Sequence, residues 1–460
     1  MGVFQDLVTQ NRWKRALIDR SSAHRRDVTK SYHQALELER APAAHIEAVQ
    51  TARLRALLER ACEAPYFRET FEKNQIRPRE FESKDLTRIP FLTKEILRSE
   101  GGRLRIPHAR SVHENYSGGS TGIPVRFWQD YHYKVHMSVA TRRSNEMAGA
   151  FPGARVAKLW GAPQDKRRIE GLFGRAKLWL LNQRYYDSFD MGAERMELYH
   201  RSLETFQPDI IQAYASSIHL FAKFLRSRGI RPNYPSVSII SAAERLDPRM
   251  RQEIEEVFPV RVFDRYGSRE ISAMAAECEE HDGLHIQMPS YIVETIDPWT
   301  GASIEDRPGE IVITVLNNFA MPFLRYRIGD MGVLTRAACP CGSSFPRLQE
   351  VIGRTSDNFL MADGRIVHGE RFTHLFYGRD SIEQFQFEQD AIDTFTLRLV
   401  PARHYSPEAG DLIEREIRSI IGESAELSME IRERIPKTES GKYRYTISNV
   451  SLDQAIGSPR

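Results

Sequence analysis

The chain is predicted to be α/β, with an α+β multidomain organisation: a large N-terminal domain of mixed sheets and helices and a small C-terminal α+β domain. Three observations predict this. The length, 460 residues, exceeds what one hydrophobic core ordinarily fills. From about residue 150, short apolar runs alternate with helix-periodic runs, as in a largely parallel sheet with crossover helices. Beyond about residue 353 the texture shifts to strand-like runs around one amphipathic helix, which is enough chain for a separate small domain.

Taken in order, residues 1–75 read as helices; in 43-AAHIEAVQTARLRALLERA-61 apolar residues recur at three- and four-residue steps. The stretch 87-TRIPFLTKEILRSEG-101 reads as a loop and then a helix. Strands are expected at 155–161, 209–214, 236–242 and 260–267, with helices at 217–229 and 248–258 between them. The runs 291-YIVETID-297 and 309-GEIVITVLN-317 flank a Pro/Gly-rich turn and predict a hairpin or a small antiparallel subdomain. In the last hundred residues, strands are expected at 383–389, 394–400 and 426–435, and a helix at 407–422.

Composition removes several function classes. Lys+Arg total 65 and Asp+Glu 62, a net charge of +3, too small to point to nucleic acid. The early basic residues Arg12, Lys14, Arg15, Arg20, Arg25 and Arg26 lie among apolar ones at helical spacing. They read as a solvated helix face, with a membrane-surface or partner contact as the lesser alternative. No apolar run approaches a membrane span. The N-terminus has no apolar signal core, and Asp6 stands where a myristoylation signal wants Ser or Thr. A cytoplasmic protein is expected. Four cysteines in a chain this long do not make a disulfide framework.

The stretch 116-YSGGSTGIPV-125 concentrates glycine and hydroxyl residues. It reads either as a flexible linker or as a loop whose N–H groups and hydroxyls approach a phosphate. Further along stand 242-AAERL-246 and 264-DRYGSRE-270, both at expected strand ends, where α/β sheets bind ligands. Then come 325-RYRIGD-330 and 436-PKTESGKYRY-445. Each alone has an ordinary explanation as a turn. Their joint order resembles the adenylate-forming superfamily of acyl-CoA synthetases, adenylation domains and luciferases. Within it the chain is most similar to the phenylacetate–CoA ligase family, through 64-APYFRETFEKNQIRP-78, 85-DLTRIPFLTKEILR-98 and 339-CPCG-342. The resemblance runs from about residue 50 to 447.

The resemblance implies a set of roles. Ser117, Gly118, Gly119, Ser120, Thr121 and Gly122 would cradle the ATP phosphates, and Ala242, Ala243 and Glu244 would surround adenine. Asp264, Tyr266, Gly267 and Ser268 would complete the nucleotide site, with Tyr266 against adenine and Ser268 near the α-phosphate. Glu270 would hold Mg²⁺, a hard cation that prefers carboxylate oxygen. Asp330 would accept from the ribose hydroxyls, Arg354 would assist at ribose or phosphate, and Lys442 would reach the carboxylate and the α-phosphate. Residues 1–353 would form the large domain, 354–358 a hinge, and 359–460 a small mobile domain carrying the late lysine. The implied reaction joins a carboxylic acid to AMP with release of pyrophosphate, then passes the acyl group to CoA.

Two departures from the family pattern stand out, the second bearing on the acceptor. Ile123 stands where many relatives place Lys, and 355-TSDNFLMADGRIVHGERF-372 differs from the ligase hinge segment. An amine, a hydroxyl or a carrier-protein thiol therefore stays open beside CoA, as does a non-catalytic nucleotide-binding protein of the same fold. Tyr214, Ala215 and Phe263 are candidate walls of the acid site, bordered by Trp160. Aromatic walls suit an aryl acid, although such residues also make ordinary core. A homodimer is left open.

Cys278, Cys339 and Cys341, with one histidine, supply the four ligands of a closed structural zinc site. The histidine is His281 or His285, and the resemblance favours His285. The alternative is three buried thiols in a reducing compartment. Cys62 sits on a helical pattern and reads as core.

Overall fold

The computed structural model describes residues 23–450 apart from 110, 118–124, 152, 161–170, 189–190, 247, 298–299, 353–357, 377–378, 380 and 436–444. The described residues fall into two compact units, one drawn from 1–117, 125–152 and 263–353, the other from 153–262 and 354–460.

In the first unit, helices Ala23–Glu39, Ala43–Ala61 and Pro65–Lys73 follow the periodic stretches of the sequence. Leu54, Leu57, Leu58 and Ala61 line the buried stripe of the second helix, and Phe67 and Phe71 that of the third. Thr93 starts helix Lys94–Glu100 by accepting from the Ile96 N–H, and Asp130 starts helix Tyr131–Met147 by accepting from the Tyr133 N–H. Cys62 caps its helix and is half-buried.

The sheet of this unit is antiparallel. Its strands run in the order Tyr291–Ile296, Gly309–Val315, Phe323–Thr335, Arg347–Ile352, Leu284–Ile286, Ser272–Glu277 and Val262–Ser268. The expected hairpin is present, with Tyr291 opposite Val315 and Ile296 opposite Glu310. The antiparallel pairing expected for 291–317 extends here to all seven strands, including strand 262–268, which the sequence pattern groups with the parallel ones. The strands on either side of 309–315 are joined by turns rather than by crossover helices, and antiparallel pairing follows. Helix 131–147 packs on strand 272–277, and helix 23–39 packs on helix 131–147.

The second unit carries the parallel sheet, in the order Gln183–Tyr186, Val156–Leu159, Ile210–Tyr214 and Ser238–Ala242. Helices Ala193–Phe206, Ala215–Ser227 and Pro248–Val257 alternate with these strands. One sheet face, with Ala157, Leu159, Ile211, Ala213 and Ile239, shares a core with Leu203, Ile218, Phe221 and Ile254 of the helices.

The last part of the chain forms a sheet in the order Glu426–Ile431, Thr394–Pro401, Ile382–Ala391 and Thr446–Ser448. Helix Pro407–Ile421 buries Ile413, Ile417, Ile420 and Ile421 against Phe385, Phe387, Leu397 and Leu399. No helix among the described residues is long and apolar enough to cross a membrane.

Candidate active site and metal centre

In the first unit, strand 262–268 carries the stretch Asp264–Glu270 to its end. The Tyr266 hydroxyl donates to Asp330 Oδ2 at 2.8 Å, a link across 64 residues. The Ser268 hydroxyl donates to Glu270 Oε2 at 2.8 Å, and its oxygen accepts from the Glu270 N–H at 3.2 Å. Each carboxylate is thus oriented by a hydroxyl of one strand. The turn that holds Glu270 is pinned from behind: Tyr133 donates to the Glu270 carbonyl at 3.1 Å, and Gln129 to the Arg269 carbonyl at 2.9 Å. Both anchors went unread in the sequence, because nothing local signals a partner about 140 residues away; the hydroxyl of a buried tyrosine was the one available hint.

Gly267 sits at a register shift between this strand and strand 272–277. A Cβ there would lie 1.8 Å from the Ser272 carbonyl oxygen. Backbone, not a movable side chain, fills the space. Gly267→Ala is therefore expected to destabilise the protein by about 3 kcal/mol, read as a lower midpoint in urea unfolding. A midpoint equal to that of the parent would remove the packing argument. Asp264 donates its N–H to Glu277 Oε2 at 2.8 Å and accepts from the Arg265 N–H at 2.8 Å. Burial lowers the Arg265 guanidinium to about 10.

The Arg-Tyr-Arg-X-Gly-Asp stretch divides into two jobs. Asp330 faces Tyr266, while Arg325 is structural. Arg325 makes a two-pronged pair with Glu294 at 2.9 and 3.0 Å. It also donates to the carbonyls of Thr87 and Ile89 at 3.2 and 3.0 Å and lies over the Phe91 ring. Its planar fork suits such a buried double pairing.

Ser117 lies at the base of the Gly-rich loop. Its oxygen accepts from the Val125 N–H at 2.8 Å, and its own N–H donates to the Val125 carbonyl at 2.9 Å. It ties the two ends of the loop together. Gly118, Gly119, Ser120, Thr121 and Gly122, together with Arg354 and Lys442, lie outside the described residues.

In the second unit, Ala242 ends strand 238–242, and Ala243 adopts a left-handed backbone with φ +69. That turn brings Glu244 Oε2 to the N–H of Ser216 at 2.8 Å. The carboxylate therefore caps helix 215–227 and favours its positive end. Tyr214 stacks on Trp160, with ring centres 4.4 Å apart and planes at 28°. Ala215 packs into the helix-covered core. Phe263 belongs to the first unit, where its ring lies 4.6 Å from that of His281.

Cys278, His285, Cys339 and Cys341 converge, with one ligand atom from each within 4.8 Å of all the others. Cys278 Sγ is 3.8 Å from Cys339 Sγ, and Cys341 Sγ is 3.4 Å from His285 Nε2. His285 Nδ1 lies 3.3 Å from the Phe345 carbonyl, so an N–H there orients Nε2 toward the thiols. His281 instead faces Glu277 Oε2 at 3.0 Å. Burial pushes the Cys278 thiol up to about 12 and the His285 imidazole down to about 4. Three sulfurs and one imidazole nitrogen match a closed tetrahedral zinc set. The knuckle also touches the N-terminal helix: Ser344 donates its N–H to the Glu39 carbonyl at 2.8 Å, and the Glu39 carboxylate pairs with Arg143.

Comparison with known proteins bears on this arrangement. Phenylacetate-coenzyme A ligase of Thermus thermophilus is 27% identical over 440 residues, covering 89% of this chain and 97% of that protein. The enzyme of the same name from Aromatoleum evansii is 27% identical over 413 residues, covering 85% of this chain and 91% of that protein. The chain resembles the phenylacetate–CoA ligase-like family of adenylate-forming proteins over most of its length. A second kind of relative lies beside these ligases. Residues 359–449 of this chain match the CapK C-terminal domain, and protein CapK of Staphylococcus aureus is 22% identical over 396 residues, covering 84% of this chain and 85% of that protein. Among solved structures, 2-hydroxyisobutyryl-CoA ligase in complex with 2-HIB-AMP and CoA has the same fold. Its TM-score is 0.60 at 20% identity, covering 91% of this chain and 92% of that one.

Proposed function

We propose that the chain is an ATP-dependent carboxylic acid ligase that works through an acyl-adenylate, with an aryl acid as substrate and CoA as acceptor. The observation that carries the reading is the pairing of Asp330 with Tyr266 beside that of Glu270 with Ser268, at the end of a sheet strand. A carboxylate oxygen attacks the α-phosphorus of ATP, the new P–O bond forms, and pyrophosphate leaves with the electrons of the bond that breaks. A thiol sulfur then attacks the acyl carbon, and AMP leaves.

The barrier to the first step is crowded negative charge on phosphoryl oxygens. Asp330 accepts from the ribose hydroxyls and holds the nucleotide in register. Glu270 presents a carboxylate oxygen of the type a hard divalent cation takes, and its Ser268 partner fixes the direction. Bound Mg²⁺ would supply charge neutralisation at the phosphates. Lys442 contributes a further cation at the α-phosphate, and the 117–122 loop donates to the phosphate oxygens. The four-ligand Cys/His cluster is proposed to hold structural zinc, since it leaves no position for a substrate.

A non-CoA acceptor is a second reading. It is favoured by the divergent 355–372 segment. Acid-dependent exchange of labelled pyrophosphate into ATP, with Mg²⁺ and a panel of aryl, fatty and amino acids, tests adenylation separately from the acceptor. Exchange with an aryl acid is the expected result; binding of ATP with no exchange for any acid would overturn the reading. Adding CoA, and then amines or alcohols, to the exchanging acid identifies the acceptor.

A further inference from the structure

The Cys/His cluster joins a reactive feature to a mechanical one, and both lie within the first unit. Cys278 and Cys339 are buried, whereas Cys341 is exposed. The Cys341 sulfur lies within 4.8 Å of both others, and those two are 3.8 Å apart. A set of thiolates that reaches solvent through one member is open to a small oxidant at that member. The ligands also come from separate segments. Cys339 and Cys341 sit in the turn after strand Phe323–Thr335, and Cys278 directly follows strand Ser272–Glu277. Through its neighbour, Cys278 is tied to the strand that carries the candidate nucleotide site. Glu277 accepts the Asp264 N–H at 2.8 Å. Strand 262–268 pairs with strand 272–277, with Arg265 opposite Ala276 and Tyr266 opposite Ala275. The hydroxyls of Tyr266 and Ser268 on that strand hold Asp330 and Glu270. Whatever fixes Cys278 therefore fixes Glu277, one peptide away, and with it the start of strand 262–268.

We infer that the cluster is a redox switch: hydrogen peroxide converts it from a metal clamp into a disulfide joining Cys278 to the 339–341 turn, and strand 262–268 loosens with release of the ion. The inference rests on the zinc reading. The Cys341 sulfur, a thiolate while it ligates, attacks one peroxide oxygen. An S–O bond forms, the O–O bond breaks, and the departing hydroxide takes a proton to become water. The Cys278 thiolate then attacks the Cys341 sulfur. An S–S bond forms, the S–O bond breaks with its electron pair, and a second hydroxide leaves as water. Two sulfurs are oxidised and both peroxide oxygens are reduced. A disulfide sulfur lacks the charge of a thiolate ligand, so only His285 and one sulfur remain of a set that needs four. A covalent bond also draws its two sulfurs far closer than they stand as ligands. That pull falls on Cys278 and on Glu277 beside it.

The test uses the full chain, loaded with zinc and treated with hydrogen peroxide. Zinc release is read with a chromogenic chelator, the disulfide is placed by peptide mass, and hydrogen exchange is followed at the Asp264 amide. The expected result is release of zinc together with a bond from Cys278 to the 339–341 turn. Exchange at the Asp264 N–H should rise by at least about 10-fold. A thiol reductant with added zinc should reverse all of these changes. Zinc retained and thiols intact under peroxide would overturn the switch and leave the zinc reading standing. A bond that leaves Cys278 out, or Asp264 exchange unmoved once the bond has formed, would overturn it as well. A chain that takes up no zinc would overturn the zinc reading, and this inference with it.

Discussion

Lys442→Ala is expected to lower acid-dependent pyrophosphate exchange by about 10²–10³-fold while unfolding at the same denaturant concentration as the parent. The first half arises from electrostatics. A single cation aimed at developing phosphoryl charge in a water-poor site is worth several powers of ten in rate. The second half arises from how the segment is held. Residues 436–444 are flanked by Ile435 and Tyr445, both buried. The Phe387 N–H donates to the Tyr445 carbonyl at 2.7 Å, and strand 446–448 pairs in parallel with strand 382–391. Both ends of the segment are anchored without Lys442. Lys437→Ala, in the same stretch, is the control and should keep its exchange rate. Full exchange by Lys442→Ala would remove the role assigned to it, and equal losses in both variants would point to the segment rather than to the ammonium.

Cys278→Ser is expected to lose bound zinc and to melt well below the parent. Elemental analysis of the parent should find one zinc per chain. Burial pushes the Cys278 thiol up to about 12, and binding a cation would displace its proton. If metal binding contributes even about 3 kcal/mol to folding, a unit of this size loses roughly 6–12 °C in Tm. The loss should also reach the N-terminal helix. Glu39 accepts from Ser344, three residues beyond Cys341, and pairs with Arg143 in the adjoining helix. Hydrogen exchange across Ala23–Glu39 should therefore rise in Cys278→Ser or after chelation. Protein free of zinc whose melting is unmoved by chelators would refute the metal site.

Most of the element list was legible in the sequence. Helix Ala43–Ala61 carries its stripe of Leu54, Leu57, Leu58 and Ala61 openly, because a 3.6-residue period needs only local chain. The same is true of helix Pro407–Ile421 and of the hairpin from Tyr291 to Val315. The strand order of the first unit's antiparallel sheet was not legible. That order places strand 347–352 beside strand 284–286, a pairing with no trace in either run alone.

The candidate site divides in the same way. The family resemblance carried by motif order pointed to Tyr266, Ser268, Glu270 and Asp330, and the sequence narrowed the metal ligands to Cys278, Cys339, Cys341 and one of His281 or His285. Only the tertiary structure decided that Tyr266 meets Asp330, that His285 rather than His281 joins the thiols, and that Glu244 caps a helix. It alone decided that Arg325 is a buried strut paired with Glu294. The reason is one of range. Periodicity and residue chemistry are written in neighbouring positions, whereas a hydrogen bond across 64 residues exists only after folding has brought together two strands that three others separate in the sheet.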